Sequence, residues 1–531
     1  MDSTTHPQAS TAAAVERASR GWLPDRSLTQ KASLNLLTRT LEHVAMVAVG
    51  LVINPLLVAG LGSYAFGLWQ VLRQLCGYLS PASGRPTQAL KWTVSTKQSS
   101  TDYDDKRRDV GSAVLVWLAF LPLLGTLGAM LVWLAPSWLD APAEMHSTVR
   151  LAAAFSVATI IMASLVHVPR AVLTGENLAY KRMGLSAVLV LVGGGLTALA
   201  LHLDLGLAGV AASPLITAVL TGVMFLLVVR RNVPWFGIAR PARQAARRFL
   251  GLSTWFLVWR AVMQVMRASD LVLLGILLSL ESVTTYSLTK HIPQTIIGLV
   301  SVIVTASTPG LGGIIGARKF RKATEVRSEL MSLTWLTLVV VGVTVLLWNR
   351  SFVGLWVGSQ HYAGAIPTLA IILMVSQFTL IRNDAAIIDL TLNLRNKVIL
   401  GAIAAFLSLA AAGLAVKSFG MGITGLCLGF IAGRGVLSLA YPWMVGRILG
   451  IPATTQLARL GRPGLVGAGF LMAAYALHDE WLVSSWMELV AAIAATVALV
   501  LPLAFYGGVS GDLRPRFLGR LRSLVAQLPI R

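Results

Sequence analysis

The chain has 531 residues, of which 56% are hydrophobic and only 12% are charged, and its mean hydropathy is +0.73. Soluble domains are about 25% charged, so this composition excludes an ordinary soluble protein and indicates many membrane-crossing segments. A formal charge of +22 would suggest a nucleic-acid partner in a soluble protein, but here the basic residues follow membrane topology and no nucleic acid is expected. Cys76 and Cys427 both lie in apolar stretches, so no disulfide framework, metal site or cofactor is expected.

Apolar stretches follow one another from residue 33 to residue 506, and a helix needs about 20 such residues to cross the hydrocarbon core. Residues 1–32 are polar and basic and lack the apolar core of a secretory signal, which predicts a cytoplasmic tail. We predict an all-α polytopic membrane protein of about 14 transmembrane helices. Polar residues interrupt several of the apolar stretches, so twelve or thirteen helices are also possible. The predicted spans are 33–58, 66–93, 110–134, 148–174, 183–201, 206–229, 249–277, 282–310, 330–348, 363–390, 398–416, 421–446, 463–478 and 485–506.

The basic residues outside these spans are distributed very unevenly. Alternate segments, beginning with the N-terminal one, hold 31 of the 44 Lys and Arg residues, whereas the opposite segments hold only Arg350 and Lys417. Because Lys and Arg concentrate in cytoplasmic segments, both termini are predicted to be cytoplasmic. The same assignment makes residues 231–248 a basic cytoplasmic linker and residues 507–531 a basic cytoplasmic tail.

An internal repeat relates the first six spans to the next six. At an offset of about 220 residues Arg39 falls opposite Arg260 after one gap, and the opening of the sixth span at Gly206 has a counterpart 214 residues later, at Gly420. The sequence therefore predicts two six-helix lobes, 33–230 and 249–446, followed by two extra helices within 463–506. Each lobe begins and ends on the cytoplasmic side, so a pseudo-two-fold axis along the membrane normal should relate them.

Eleven basic residues lie inside the predicted spans. A basic side chain near the bilayer centre costs about 2.5–3.5 kcal/mol, so a large set of them is expected to line a water-filled cavity rather than to face lipid. Arg150 and Arg434 lie near span ends, where they are expected to snorkel, and Arg85 and Lys91 follow a Pro/Gly break. The candidates for a cationic, anion-binding cavity are Arg39, Arg73, Arg170, Arg260, Arg267, Lys290 and Arg382.

The same residues allow a purely structural interpretation. Three intramembrane acids stand close to three of them in the sequence, so that Arg39 could pair with Glu42, Arg267 with Asp270 and Arg382 with Asp384. Glu42, Asp270 and Asp384 could alternatively carry a coupling ion. The clear intramembrane acids are fewer than the bases, so ion pairing would leave some of the bases without an acidic partner.

Several stretches carry a resemblance to a known family: LGSYAFGLWQVLRQLCGYLS from Leu61, GLAGVAASPLITAVL from Gly206, ASDLVLLGILLSLESVTTYSLTK from Ala268 and the basic loop after the sixth span. In these and in its lobe order, the chain resembles the Wzx-like polysaccharide flippases of the multidrug/oligosaccharidyl-lipid/polysaccharide (MOP) exporter superfamily. The polar stretch SPASGRPTQ from Ser80 matches no pattern of that family.

The resemblance implies a non-enzymatic flippase in the bacterial inner membrane, which moves prenyl-pyrophosphate-linked oligosaccharides for surface polysaccharides such as lipopolysaccharide or exopolysaccharide. It also implies polysaccharide polymerase and chain-length proteins as partners.

A flippase for the peptidoglycan lipid precursor remains an alternative, because that lipid carries the same pyrophosphate. A MATE-like antiporter of organic cations is a further alternative, although the excess of buried bases disfavours it. A membrane-embedded enzyme would need clustered acids or large outward loops, and the sequence has neither.

Overall fold

The computed structural model of the protein describes residues 26–83, 86–97, 100–176, 178, 181, 184–241, 243–390 and 394–519. Some side chains within its helices are not described, namely those at positions 26–36, 39, 88, 92, 96, 243–257, 297–310, 313, 316, 394 and 457. The regular secondary structure of the described residues is all helical, as predicted. Its fourteen α-helices are α1 Arg26–Gly77, α2 Pro86–Thr96, α3 Tyr103–Trp138, α4 His146–Gly175, α5 Leu185–His202, α6 Gly206–Asn232, α7 Arg243–Leu277, α8 Leu280–Gly316, α9 Phe320–Val357, α10 Ala365–Asp389, α11 Leu394–Lys417, α12 Gly422–Leu449, α13 Ala453–Leu477 and α14 Trp486–Gly508.

The first two predicted spans differ in detail from the structure. A break at Gly62, whose φ of 77° suits glycine, divides α1 and marks the turn between the two spans without a separate loop. The second span then stops at Gly77, passes through a 3₁₀ turn at Ser80–Ser83 and resumes as α2. The polar stretch from Ser80 is therefore a helix break, as its Pro/Gly pattern indicates, and it divides the predicted span 66–93 into two helices.

Eleven helices in the described part of the chain are long and apolar enough to cross a membrane. Many large apolar side chains point away from the protein, such as Trp133, Leu439 and Val490, which are 68%, 75% and 64% exposed. In water such a surface would be strongly unfavourable, whereas lipid tails solvate it. The chain is a multi-pass membrane protein.

The most extensive helix packing lies within each set of six helices. Within α1–α6, α4 packs on α6 and α1 on α5; within α7–α12, α11 packs on α12 and α8 on α9. Helices α13 and α14 pack on α9 and so belong with the second set. We call α1–α6 the N-lobe and α7–α12 the C-lobe. The exact boundaries at 230 and 249 remain predictions, and most of the predicted N-terminal tail and the segment from residue 520 lie outside the described residues.

Each lobe joins its third helix to its fourth by a similar ion pair. In the N-lobe, Lys106 of α3 binds Glu176 at the end of α4, with 3.1 Å between Nζ and Oε1. In the C-lobe, Arg327 of α9 binds Asp384 near the end of α10. The two pairs occupy corresponding places in the repeat, as expected for lobes related by an axis along the membrane normal.

The lobes meet closely at the end of the bundle that contains Gly62 and the turn between α7 and α8. Thr284 donates a hydrogen bond to the Ser63 carbonyl across 2.6 Å, and Gly67 lies so close to Leu280 that a Cβ there would overlap the Leu280 carbonyl. Farther along the same interface, Val71 packs against Gly275. We call this contact region the closed end. The basic segments lie at the opposite end of the helices.

Candidate functional site

Four arginines lie on α1, α7 and α10, near the contact between the lobes where α7 approaches Gly77 of α1. Arg73 lies on α1, Arg260 and Arg267 on α7, and Arg382 on α10. The side chains of Arg73, Arg260 and Arg267 are accessible and that of Arg382 is half-buried. Accessible basic side chains on helices that cross a membrane are expected to line a water-filled cavity.

The charges of these arginines act on one another. Arg267 lies within electrostatic range of both Arg260 and Arg382, and in each case the two like charges repel. Arg267 also donates a hydrogen bond to the side-chain oxygen of Gln264 at 3.3 Å, one turn away on the same helical face. The arginines of the two C-lobe helices thus form a single cationic cluster.

The neighbouring acids do not neutralise that cluster. One oxygen of Asp270 binds Lys290 and accepts a 2.7 Å hydrogen bond from the Tyr286 hydroxyl, and the other accepts one from the Leu271 backbone N–H at 2.9 Å. Both oxygens are thus used within the C-lobe core. Asp384 accepts two hydrogen bonds from Arg327, at 2.9 and 3.0 Å, in the bidentate geometry typical of Arg–carboxylate pairs. The predicted pairs Arg267–Asp270 and Arg382–Asp384 were therefore wrong, because both acids face other bases.

No ion pair is found for Arg73, Arg260, Arg267 or Arg382 among the described residues. Arg73 instead lies 5.8 Å from the centre of the Trp69 ring, in cation–π range. Unpaired guanidinium groups that repel one another attract anions, and each can present two parallel N–H donors to a phosphate. The arrangement therefore suits a ligand that carries at least one phosphate.

The other three predicted cavity residues have different surroundings. Arg170 of α4 pairs with Glu42 of α1 at 3.3 Å inside the N-lobe. Lys290 is buried, is held by Asp270 and lies 5.0 Å from the Tyr286 ring. The side chain of Arg39 lies outside the described residues, so its predicted pairing with Glu42 stays a prediction.

Comparison with solved structures identifies the fold that carries these side chains. A scan against protein-family models and a search of curated proteins found no match. Solved structures do match: the lipid II flippase MurJ in an inward closed conformation aligns over 89% of this chain and 98% of its own, with a TM-score of 0.66 and 12% identity. A MATE in complex with MaD3S aligns over 79% and 94%, with a TM-score of 0.53 and 16% identity. A MOP-superfamily transporter from Pyrococcus furiosus, described as having a binding pocket of reverse polarity, aligns over 80% and 96%, with a TM-score of 0.52 and 15% identity.

This chain has the fold of the MOP-superfamily transporters. The shared fold covers both lobes, whereas identities of 12–16% carry no residue-level inference. The substrate preference of this MOP-fold protein therefore depends on its own side chains.

Arg434 was assigned to snorkelling, and the structure contradicts that assignment. It is only 4% exposed, lies 4.8 and 4.9 Å from the ring centres of Phe430 and Phe378, and donates a 2.5 Å hydrogen bond to the Met266 carbonyl. The guanidinium thus joins α12 to α7 in the C-lobe core. The phenylalanine one turn before Arg434 is a sequence signal for such a cation–π contact.

Several bases assigned to cytoplasmic segments are also buried. Lys106 is 2% exposed and lies 5.3 Å from the Trp235 ring; Lys397 is fully buried, pairs with Asp389 at 2.5 Å and lies 4.1 Å from the Trp259 ring. These contacts hold helix ends together and contribute no free charge.

Arg85 lies outside the described residues. Within the described ranges, no three His, Cys, Asp or Glu side chains come together to hold a metal ion.

The Asp270–Lys290 pair yields a stability prediction. Asp270→Asn leaves the buried Lys290 ammonium without a counter-charge, and breaking a buried pair in this way costs about 3–5 kcal/mol. We expect a clear fall in the thermal unfolding midpoint of the purified protein. The double variant Asp270→Asn/Lys290→Gln, which removes both charges, should recover most of the loss; an equal loss in both variants would contradict pairing as the source of stability.

Proposed function

We propose that this protein is a transporter that moves prenyl-pyrophosphate-linked oligosaccharides across the bacterial inner membrane for surface polysaccharide assembly. The observation that carries the proposal is the cluster of Arg260, Arg267 and Arg382, for which no acidic partner is found among the described side chains. A pyrophosphate carries two negative groups with oxygens that match guanidinium forks, and exclusion of bulk water strengthens the attraction.

The proposed mechanism is alternating access between the two lobes. In the present conformation the lobes are joined at the closed end, so the substrate headgroup enters from the opposite end, which carries the basic segments. With both termini cytoplasmic, as the charge asymmetry predicts, that entrance faces the cytoplasm. The lobes then separate at the closed end and release the glycan on the outer side, while the prenyl chain remains in lipid.

The proposal includes no chemical step on the substrate, and the protein acts as a transporter rather than an enzyme. Glu42, Asp270 and Asp384 remain candidates for ion coupling. Each is held by a base in this conformation, so coupling through any of them requires that its ion pair open during the cycle. Polymerase and chain-length proteins are the partners expected to receive the translocated product.

The test is transbilayer movement of a prenyl-pyrophosphate-linked oligosaccharide in vesicles that contain the purified protein. We expect movement by the wild type and a loss of about tenfold or more in Arg260→Ala, because a hydrogen bond to a charged group contributes about 1.5–3 kcal/mol. Gradient-driven uptake of an organic cation without lipid movement would instead establish the antiporter alternative.

A second candidate, the peptidoglycan lipid precursor, is favoured by the alignment of MurJ over 89% of the chain. Its pyrophosphate would engage the same arginines, so the two substrates differ only in the sugars. Competition in the vesicle assay separates them: the proposal requires that a surface-polysaccharide precursor compete at lower concentration than the peptidoglycan precursor.

A further inference from the structure

A pair of arginines meets at the last turn of α14, where α13 packs beside it. Arg462 of α13 donates hydrogen bonds to the Gly507 carbonyl at 2.7 Å and to the Tyr506 carbonyl at 3.1 Å. Arg514 donates to the same Tyr506 carbonyl at 2.6 Å and to the Val509 carbonyl at 3.0 Å. A single carbonyl oxygen thus holds two guanidinium groups next to each other.

Aromatic contacts fix the segment that carries Arg514. Its guanidinium lies 5.6 Å from the centre of the Tyr506 ring, and Phe505 meets both Tyr506 and Phe517 edge-on, at 5.3 and 6.3 Å. The segment after α14 is therefore folded back on the helix end. The two arginines are pre-positioned, so a ligand loses little conformational freedom in binding them.

The local charge is only partly balanced. The carbonyl end of α14 supplies about half a negative charge, against two guanidinium charges. In the described part of the chain no acidic side chain pairs with Arg462 or Arg514; Asp512 is exposed and forms no ion pair with either. Arg516, by contrast, is neutralised by Glu325 at 3.1 Å and by Glu329 at 3.7 Å.

The pair lies at the edge of a surface that faces lipid. Leu460 and Leu465 flank Arg462 on α13 and are 61% and 78% exposed, and Leu503 and Tyr506 on α14 are 52% and 58% exposed. In a membrane protein these side chains contact acyl chains or the interface. Basic groups at such a boundary meet phospholipid headgroups, and basic pockets between helices on the cytoplasmic side bind anionic ones.

We propose that Arg462 and Arg514 form a binding site for the phosphodiester headgroup of an anionic phospholipid at the basic end of α13 and α14. Each guanidinium keeps N–H donors beyond those used on the carbonyls, because arginine carries five. The phosphate completes the charge balance, and the acyl chains lie along the exposed leucines. The site is separate from the interlobe cluster and does not depend on the proposed transport function.

Native mass spectrometry of the full-length protein tests this site, with phosphatidylglycerol, cardiolipin or phosphatidylcholine added in detergent. We expect the anionic lipids to bind the wild type at least about tenfold more strongly than phosphatidylcholine, and the preference to fall about tenfold in Arg462→Gln/Arg514→Gln, which corresponds to about 1.4 kcal/mol. Arg516→Gln is the matched control, since its charge is already neutralised, and should retain the preference.

Three outcomes would overturn the proposal: no preference for anionic lipid in the wild type, an unchanged preference in the double variant, or displacement of the lipid by millimolar inorganic phosphate. Displacement by inorganic phosphate would show that the arginine pair binds a soluble phosphate rather than a lipid headgroup. Because both arginines also cap α14, Arg462→Lys/Arg514→Lys provides a second check. It retains the charge and should fold, yet it should bind the lipid more weakly than the wild type because the paired donors are lost.

Discussion

Reversal of the charge at Arg267 is expected to abolish lipid-linked oligosaccharide movement, with a fall of about a hundredfold or more. Arg267 is the member of the cluster that lies within range of both Arg260 and Arg382. Arg267→Glu removes a charge-assisted contact worth about 1.5–3 kcal/mol, adds repulsion toward a pyrophosphate and offers a new partner to the remaining arginines. A total of about 3 kcal/mol corresponds to about a hundredfold. The measurement is the initial rate of movement in vesicles.

The neutral variant Arg267→Gln and a control define what this result means. Arg267→Gln should lower the rate about tenfold, since only the attractive contact is lost. Arg150→Gln also removes a half-buried arginine, but Arg150 lies 4.7 Å from the Trp133 ring and outside the cluster, so the rate should stay within about twofold. Equal rates in Arg267→Glu and the wild type would show that the cluster does not handle the phosphate.

The fold could be predicted from the sequence because a helix that crosses a bilayer requires a long apolar segment. Apolar stretches, alternating basic segments and a repeat offset of about 220 residues each depend on many residues, so single deviations do not change the result. Within the predicted span 66–93 local chemistry decides instead: Pro81 and a polar run end one helix, and α2 begins only after a 3₁₀ turn.

The ion pairs could not be predicted from sequence proximity. Asp270 stands three residues from Arg267, yet it faces Lys290 on α8, and Asp384 stands two residues from Arg382, yet it faces Arg327 on α9. Residues two apart on a helix point to different sides, which argues against an Arg382–Asp384 contact. For Arg267 and Asp270 the spacing permits contact, and only the packing of α7 against α8 decides the partner.

The structural interpretation predicted that Asp270 neutralises Arg267 and that Asp384 neutralises Arg382, but neither pair forms. Because Asp270 and Asp384 pair with other bases within the C-lobe, they stabilise its core and leave Arg267 and Arg382 without an acidic partner among the described residues. The same acids that could have neutralised the arginine cluster therefore hold together the helices that carry it. The charge of the cluster and the rigidity of the lobe thus depend on which bases these acids bind.

Replacement of Gly67 by valine is expected to prevent the closed end from forming. A Cβ at this position would overlap the Leu280 carbonyl and lie 2.9 Å from the Thr284 hydroxyl oxygen. A backbone carbonyl cannot move aside as a flexible side chain can, and overpacking of this kind costs about 1–3 kcal/mol or more. That cost would shift the equilibrium between lobe arrangements about fivefold to a hundredfold toward separation at this end. Transport should fall with it, because alternating access requires both arrangements.

Cross-linking between cysteines introduced at Ser63 and Thr284 measures this shift, in a background where Cys76 and Cys427 are replaced by alanine. The Thr284 side chain lies 2.6 Å from the Ser63 carbonyl, so the pair should cross-link efficiently in the parent and at least about fivefold less in Gly67→Val. Gly125→Val is the matched control, because open space surrounds Gly125 on α3. Undiminished cross-linking in Gly67→Val would mean that the lobes can meet at this end without the close approach of Gly67 to Leu280, and the gating role assigned to that contact would fail.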